Sequence, residues 1–229
     1  MSEATDKSIH REFELERMIL FSDAVFAIAI TLLIIEIRFP ELPENYKESL
    51  DLFKMFKPTI LQFVGFLLSF FIIGMSWARH LKMFRYLKAY DNGVIFRNLF
   101  TLVFIVSFPF SASGLMHARP SFAFPYIIYL ANLTFIFFAN FLLSHYIFKH
   151  KPNLSIQGHT AEKFYIYKES QIQAIAFIFS FAMILAIGLL SNFKNEYMLY
   201  GFNAFAFVIL GSRKFINKYK PKKETNTEI

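Results

Sequence analysis

Asp23 sits a few residues inside the apolar block RMILFSDAVFAIAITLLIIEIR, which runs from Arg17 to Arg38. A carboxylate one turn into such a block costs on the order of a few kcal/mol unless it is paired or hydrated. Two arrangements relieve that cost. One places the residue near a helix N-terminus at interface depth, where the helix dipole favours negative charge. The other gives it hydrogen-bond donors on neighbouring segments. Helical geometry bears on the second. At 100° per residue with Ile28 at 0°, Leu32 lies at about 40° and Ile35 at about 340°, whereas Ser22 lies at about 120° and Asp23 at about 220°. The stripe Ile28, Leu32, Ile35 and the carboxylate therefore cannot face the same side. If the stripe faces an open path, Asp23 turns toward its own subunit, where Trp77, His80 and Asn98 are candidate partners. Each also has a plainer role: an interfacial aromatic, a surface histidine and an interhelical polar contact.

Little else in the chain offers chemistry. There is no G-x-x-x-x-G-K-[ST], G-x-G-x-x-G, H-E-x-x-H or G-x-S-x-G. Cysteine is absent, which removes disulfides, thiolate metal ligands and a Cys nucleophile. The six histidines do not pair with each other or with carboxylates at metal-ligand spacing. No enzymatic activity, cofactor or resident metal is expected. The filter sequence T-V-G-Y-G is also missing, so any ion selectivity must have another source.

The segments that position these residues are hydrophobic and long. Of 229 residues 55% are hydrophobic, 32 are Phe, and the mean hydropathy is +0.42, values that would leave a soluble domain with one large apolar surface. A helix needs roughly 20 apolar residues to cross a bilayer. Six segments qualify: about Met18–Ile37, Pro58–Ala78, Gly93–Met116, Phe122–Phe148, Ser170–Ser191 and Glu196–Ser212. The expected architecture is all-α and six-spanning, with a tail over 1–17, a membrane domain over 18–218 and a polar tail over 219–229. The stretch between Pro40 and Lys57 reads as an amphipathic segment on the membrane surface.

The net charge of +7 points to orientation rather than to nucleic acid. Eighteen of the 24 lysines and arginines fall on the side that holds both termini, in the tails and the second and fourth connections. Both termini are expected in the cytoplasm.

The spacing R-x-x-x-F-S-D, formed by Arg17, Phe21, Ser22 and Asp23, resembles the signature of the transmembrane protein 175 family. The continuation AVFAIAITLL and the run WARH, with Trp77 and His80, are similar to it too. These proteins are potassium-permeable channels of prokaryotes and of animal endosomes and lysosomes. The resemblance implies a prokaryotic inner-membrane homotetramer with one six-span repeat per subunit, the first helix of each lining a central pore for K⁺. It implies a constriction made by Ile28, Leu32 and Ile35, acting as a hydrophobic gate. Arg17, Phe21, Ser22, Asp23, Trp77, His80 and Asn98 would then hold the first helix in place. Thr31, one turn above Ile28, is a candidate for selectivity; a back-bond to the carbonyl four residues earlier is the alternative. Glu36 could draw cations to the outer mouth, or form a salt bridge with Arg38 or the outer loop. The competing function is a secondary transporter. That would call for broken helices and ionisable groups near the midplane, and only Pro109 and Pro125 fall near span interiors.

Overall fold

The computed structural model describes residues 3–40, 52–117, 124–193, 208 and 210–221. Five long helices account for most of them: α1 (Glu3–Ile35), α2 (Leu52–Phe84), α3 (Asn92–Met116), α4 (Phe124–His145) and α5 (Thr160–Leu190). Each contains a stretch long and apolar enough to cross a membrane, and the chain is a multi-pass membrane protein. The sixth expected span, Glu196–Ser212, falls almost wholly outside the described residues.

Three of the helices are longer than the apolar blocks that mark them. α1 starts at Glu3, fifteen residues before the expected Met18, and no glycine or proline occurs before Pro40. At 1.5 Å per residue its 33 residues measure about 50 Å. α2 begins at Leu52 with Pro58 inside its second turn, so Leu52–Lys57 forms the first turns of α2, and residues 41–51 of the expected surface segment lie outside the described residues. α5 begins at Thr160, ten residues before the expected Ser170. The polar opening of α5 hides it from a hydropathy reading, but Ile166, Tyr167 and Ser170 pack against the preceding helices.

α4 is the innermost helix. Leu130, Leu133, Ile136 and Phe137 of α4 meet Leu102, Ile105 and Phe108 of α3, Ile73 of α2, and Phe177 and Ile184 of α5. Phe26, Ala29 and Leu33 of α1 close this core. A second cluster at one end joins Leu15, Met83, Phe84, Leu87, Val94, Leu143 and Ile147. Lipid is as apolar as these side chains, so burial alone holds the helices weakly and interhelical hydrogen bonds supply register. Asn132 Nδ2 donates to Ser107 Oγ at 3.1 Å and to Ser111 Oγ at 3.2 Å, and Asn140 Nδ2 reaches Ser76 Oγ at 3.5 Å.

The connections on the lysine-rich end are tightly bonded. After His145, α4 winds into a π-helical turn, Tyr146–His150, and a 3-10 turn, Pro152–Leu154. Lys88 N–H donates to Leu154 C=O at 2.9 Å and Ile156 N–H to Tyr86 C=O at 2.9 Å, which ties the α2–α3 loop to the α4–α5 connection. Asp91 caps α3 by accepting from Val94 N–H at 2.9 Å, and it also accepts from the Tyr146 hydroxyl at 2.8 Å. Burial raises its pKa, but these bonds, with Gly93 N–H and the charge of Lys151, outweigh that and hold the carboxyl below its usual range. A Cβ at Gly93 would overlap the Tyr146 ring and hydroxyl. Gly93→Ala should therefore displace Tyr146 from Asp91 and lower the melting temperature in detergent by several degrees, equivalent to about 1–3 kcal/mol. An unchanged melting curve would show that the ring moves aside freely.

Candidate functional site

α1 presents two chemically different faces. Ser22, Phe26, Ala29 and Leu33, between about 100° and 160° on the helix wheel, are at most 1% exposed. The opposite arc carries Phe21, Ala24, Ala27, Ile28, Thr31, Leu32 and Ile35, all exposed within the single subunit. Ile28 is 59%, Leu32 41% and Ile35 69% exposed. α2 and α3 also have exposed apolar faces, but theirs carry phenylalanines such as Phe63, Phe71, Phe96 and Phe110. From Ala24 to Ile35 the exposed face of α1 contains no aromatic residue and carries one hydroxyl. Thr31 Oγ1 donates to Ile28 C=O at 2.9 Å, the carbonyl three residues earlier, which leaves its oxygen lone pairs facing outward.

Behind that face, the signature residues separate into two polar contacts. Trp77 Nε1 donates to Asp23 Oδ1 at 2.8 Å and joins α2 to α1. Asn98 Nδ2 donates to Ser22 Oγ at 2.8 Å, and Asn98 Oδ1 lies 2.8 Å from His80 Nε2. Ser22 in turn donates to Met18 C=O at 2.9 Å. The directions are then fixed along the chain of bonds. Since the Asn98 amide nitrogen is spent on Ser22, its oxygen accepts, and His80 carries its proton on Nε2. His80 is 1% exposed and stacks on Phe84 with centroids 4.2 Å apart.

Ser22 and Asp23 are adjacent in sequence but about 100° apart around the helix, so one meets α3 and the other α2. The expected single network is thus two separate contacts. Phe21 is in neither: it is 53% exposed on the Ile28 face. Arg17 is exposed at the lysine-rich end and stands outside both. Glu36 accepts from Ser113 Oγ of α3 at 2.5 Å instead of pairing with Arg38.

Two contacts escaped the sequence reading. Arg79 lies within α2, not in the following loop, and pairs through Nε with Glu169 Oε1 of α5 at 3.5 Å while its guanidinium covers the Phe137 ring at 5.1 Å. Tyr90 donates to Glu14 Oε2 at 2.7 Å, which joins the α2–α3 loop to α1. Glu169, one of two carboxylates in the polar opening of α5 with Glu162, was the available signal for the first. The second had none, because it depends on α1 extending upstream. Among the described residues, no three His, Asp or Glu side chains are placed to hold a metal ion.

Residues 17–109 match the family described as Endosomal/lysosomal potassium channel TMEM175, which is an ion-channel and not an enzyme family. A potassium channel of Streptomyces collinus is 33% identical over 101 residues, covering 43% of this chain and 46% of the relative. A potassium channel of Chamaesiphon minutus is 33% identical over 110 residues, covering 48% of this chain and 51% of the relative. The chain thus spans about half the length of these curated relatives. An endosomal/lysosomal proton channel TMEM175 of Danio rerio is 24% identical over 161 residues, covering 69% of this chain and 30% of the relative. Among solved structures, the potassium channel MtTMEM175, determined as a variant bound to a nanobody–MBP fusion protein, has the same fold. It superposes with a TM-score of 0.60 at 18% identity, covering 88% of this chain and 93% of that one.

Proposed function

From the premise that residues 17–109 are TMEM175-family sequence, we propose that four copies of this chain assemble around the exposed face of α1 to form a potassium-preferring cation channel. The observation that carries this reading is the contrast between the two faces of α1. Its buried face is fully packed, and its open face is aliphatic, free of aromatics between Ala24 and Ile35, and carries a hydroxyl. A lipid-facing surface in this phenylalanine-rich protein looks instead like those of α2 and α3.

In the proposed assembly, Ile28, Leu32 and Ile35 of each subunit form successive aliphatic collars. Such a collar blocks ions when it dewets and conducts when slight widening lets water in. It offers no ligand to potassium. Preference arises because potassium gives up hydration water at lower cost than sodium when the collar forces partial dehydration. Thr31 Oγ1, already donating to Ile28 C=O, can accept from water or face an ion at the collar's edge. The Trp77–Asp23 and His80–Asn98–Ser22 contacts hold α1 by its other face, so the collar's diameter is set by how α1 stands against α2 and α3. In this reading the chain has six spans, both termini lie in the cytoplasm of a prokaryotic cell, and the lysine-rich end is cytoplasmic.

The test is a reversal potential from purified protein in liposomes under a potassium–sodium gradient. It should shift toward the potassium equilibrium potential, without the steep voltage dependence that repeated span arginines would confer. Equal permeability removes the selectivity, and absence of current removes the channel. The mass in detergent should correspond to four 26.9 kDa subunits.

A further inference from the structure

At the lysine-rich end, between the π-helical turn and the start of α5, the surface folds into a recess of about 480 Å³. Lys88 comes from the α2–α3 loop, Lys149 from the π-helical turn and Lys163 from the first turn of α5. Among the described residues, none that lines the recess is acidic. The neighbouring Glu162 is directed to His159, 4.0 Å away. Three lysines thus line one concave space, and no carboxylate among its described lining residues offsets them. Like charges gathered in a cleft repel one another, and the arrangement is relieved when an anion enters.

The recess is also pre-shaped. Lys163 Nζ donates to Ile156 C=O at 2.7 Å, which holds one ammonium in place. Lys149 Nζ lies 5.7 Å and 5.4 Å above the rings of Phe164 and Tyr167, so its stem is supported by aromatic faces. The backbone bonds of Lys88 and Ile156 to the opposite connection fix the distance between the walls. Ser155 and Thr160 add hydroxyls to the lining. Lysine-rich recesses with polar donors at the interfacial end of a helical bundle suit phosphate groups.

We propose that this recess binds a phosphate-bearing anion, with Lys88, Lys149 and Lys163 as its charged contacts. The site lies apart from the α1 face and goes beyond the channel reading. Its occupant would bridge the α2–α3 loop and the start of α5, and that loop is the one whose Tyr90 reaches Glu14 on α1.

The test reads binding and not flux, so its failure is distinct from failure of the channel proposal. The full-length protein is titrated in neutral detergent with dioleoylphosphatidylglycerol, and separately with inorganic phosphate, with bound anion counted by native mass spectrometry and calorimetry. K88Q/K149Q leaves the Lys163 bond to Ile156 intact. It should weaken binding by about thirtyfold, as expected for two lysines at a membrane surface. K218Q/K220Q removes the same charge elsewhere on the same end and should change binding less than about threefold. Binding of phosphatidylglycerol but not phosphate assigns the site to a lipid headgroup. Binding of both assigns it to phosphate chemistry whatever the carrier. Equal loss in the two double variants, or no saturable binding of either probe, overturns the proposal.

Discussion

In the proposed channel, Ile28→Asn should raise the potassium conductance of the reconstituted protein by about tenfold or more and bring the reversal potential under a potassium–sodium gradient close to zero. The expected tenfold is about 1.4 kcal/mol of barrier. In the proposed assembly, four isoleucines around an axis would leave water at the collar without partners, which would give a dry, closed state. An asparagine amide supplies donors and acceptors at the same height. The collar then stays wet, ions keep more of their hydration shell, and the difference in dehydration cost that favours potassium is lost. Because Ile28 is 59% exposed within the subunit, the change should leave the fold of each subunit and its melting curve almost unaltered. Unchanged currents in assembled protein would move the constriction to another level of α1.

Asn98→Ala should damage assembly before it alters permeation. The side chain is 1% exposed and links His80 to Ser22, themselves 1% and 0% exposed. Its removal leaves a buried imidazole N–H without an acceptor and withdraws the donor to Ser22, at a cost of about 2–3 kcal/mol. Interhelical bonds in membranes average less, about 0.6 kcal/mol each, but here the cavity adds to two lost bonds. The expected result is a melting temperature several degrees lower and dissociation in detergent, with the permeability ratio of surviving channels unchanged. Asn98→Asp separates volume from bond direction. It fills the same space, but as a carboxylate it only accepts, so the Ser22 hydroxyl would have to turn away from Met18 C=O to meet it. It should be as harmful as alanine. If the aspartate variant assembles normally, the direction of the bond chain carries no weight and only packing matters.

Much of this site is legible before any coordinates. A carboxylate in an apolar helix demands donors, the helix wheel says which side they are on, and the polar residues of the next two spans are few. Trp77 meets Asp23 for that reason. The wheel also separates Ser22 from Asp23 by about 100°, but only the placement of α2 and α3 shows that this sends the two residues to different helices. Arg79 illustrates the limit. Charge counting treats it as a loop residue, because a guanidinium inside a span is costly unless paired. Its partner, Glu169, lies in a stretch too polar to read as membrane helix, and tertiary packing decides that α5 begins at Thr160. The π-helical turn after His145 has no composition signal at all; it depends on Lys151 N–H reaching Tyr146 C=O at 2.8 Å.

The absence of glycine and proline before Pro40 limits how such a pore can move. Helices bend sharply at those residues or at π-bulges, and α1 has none of them over its 33 residues. α1 thus lacks the residues at which a half-helix most often swings. In the proposed channel, widening would then come from pivoting the entire rod, from twisting it about its long axis so that a different residue points inward, or from isoleucine rotamer flips. In the first two cases a displacement of the N-terminal half of α1 would be carried along the rod to the proposed constriction.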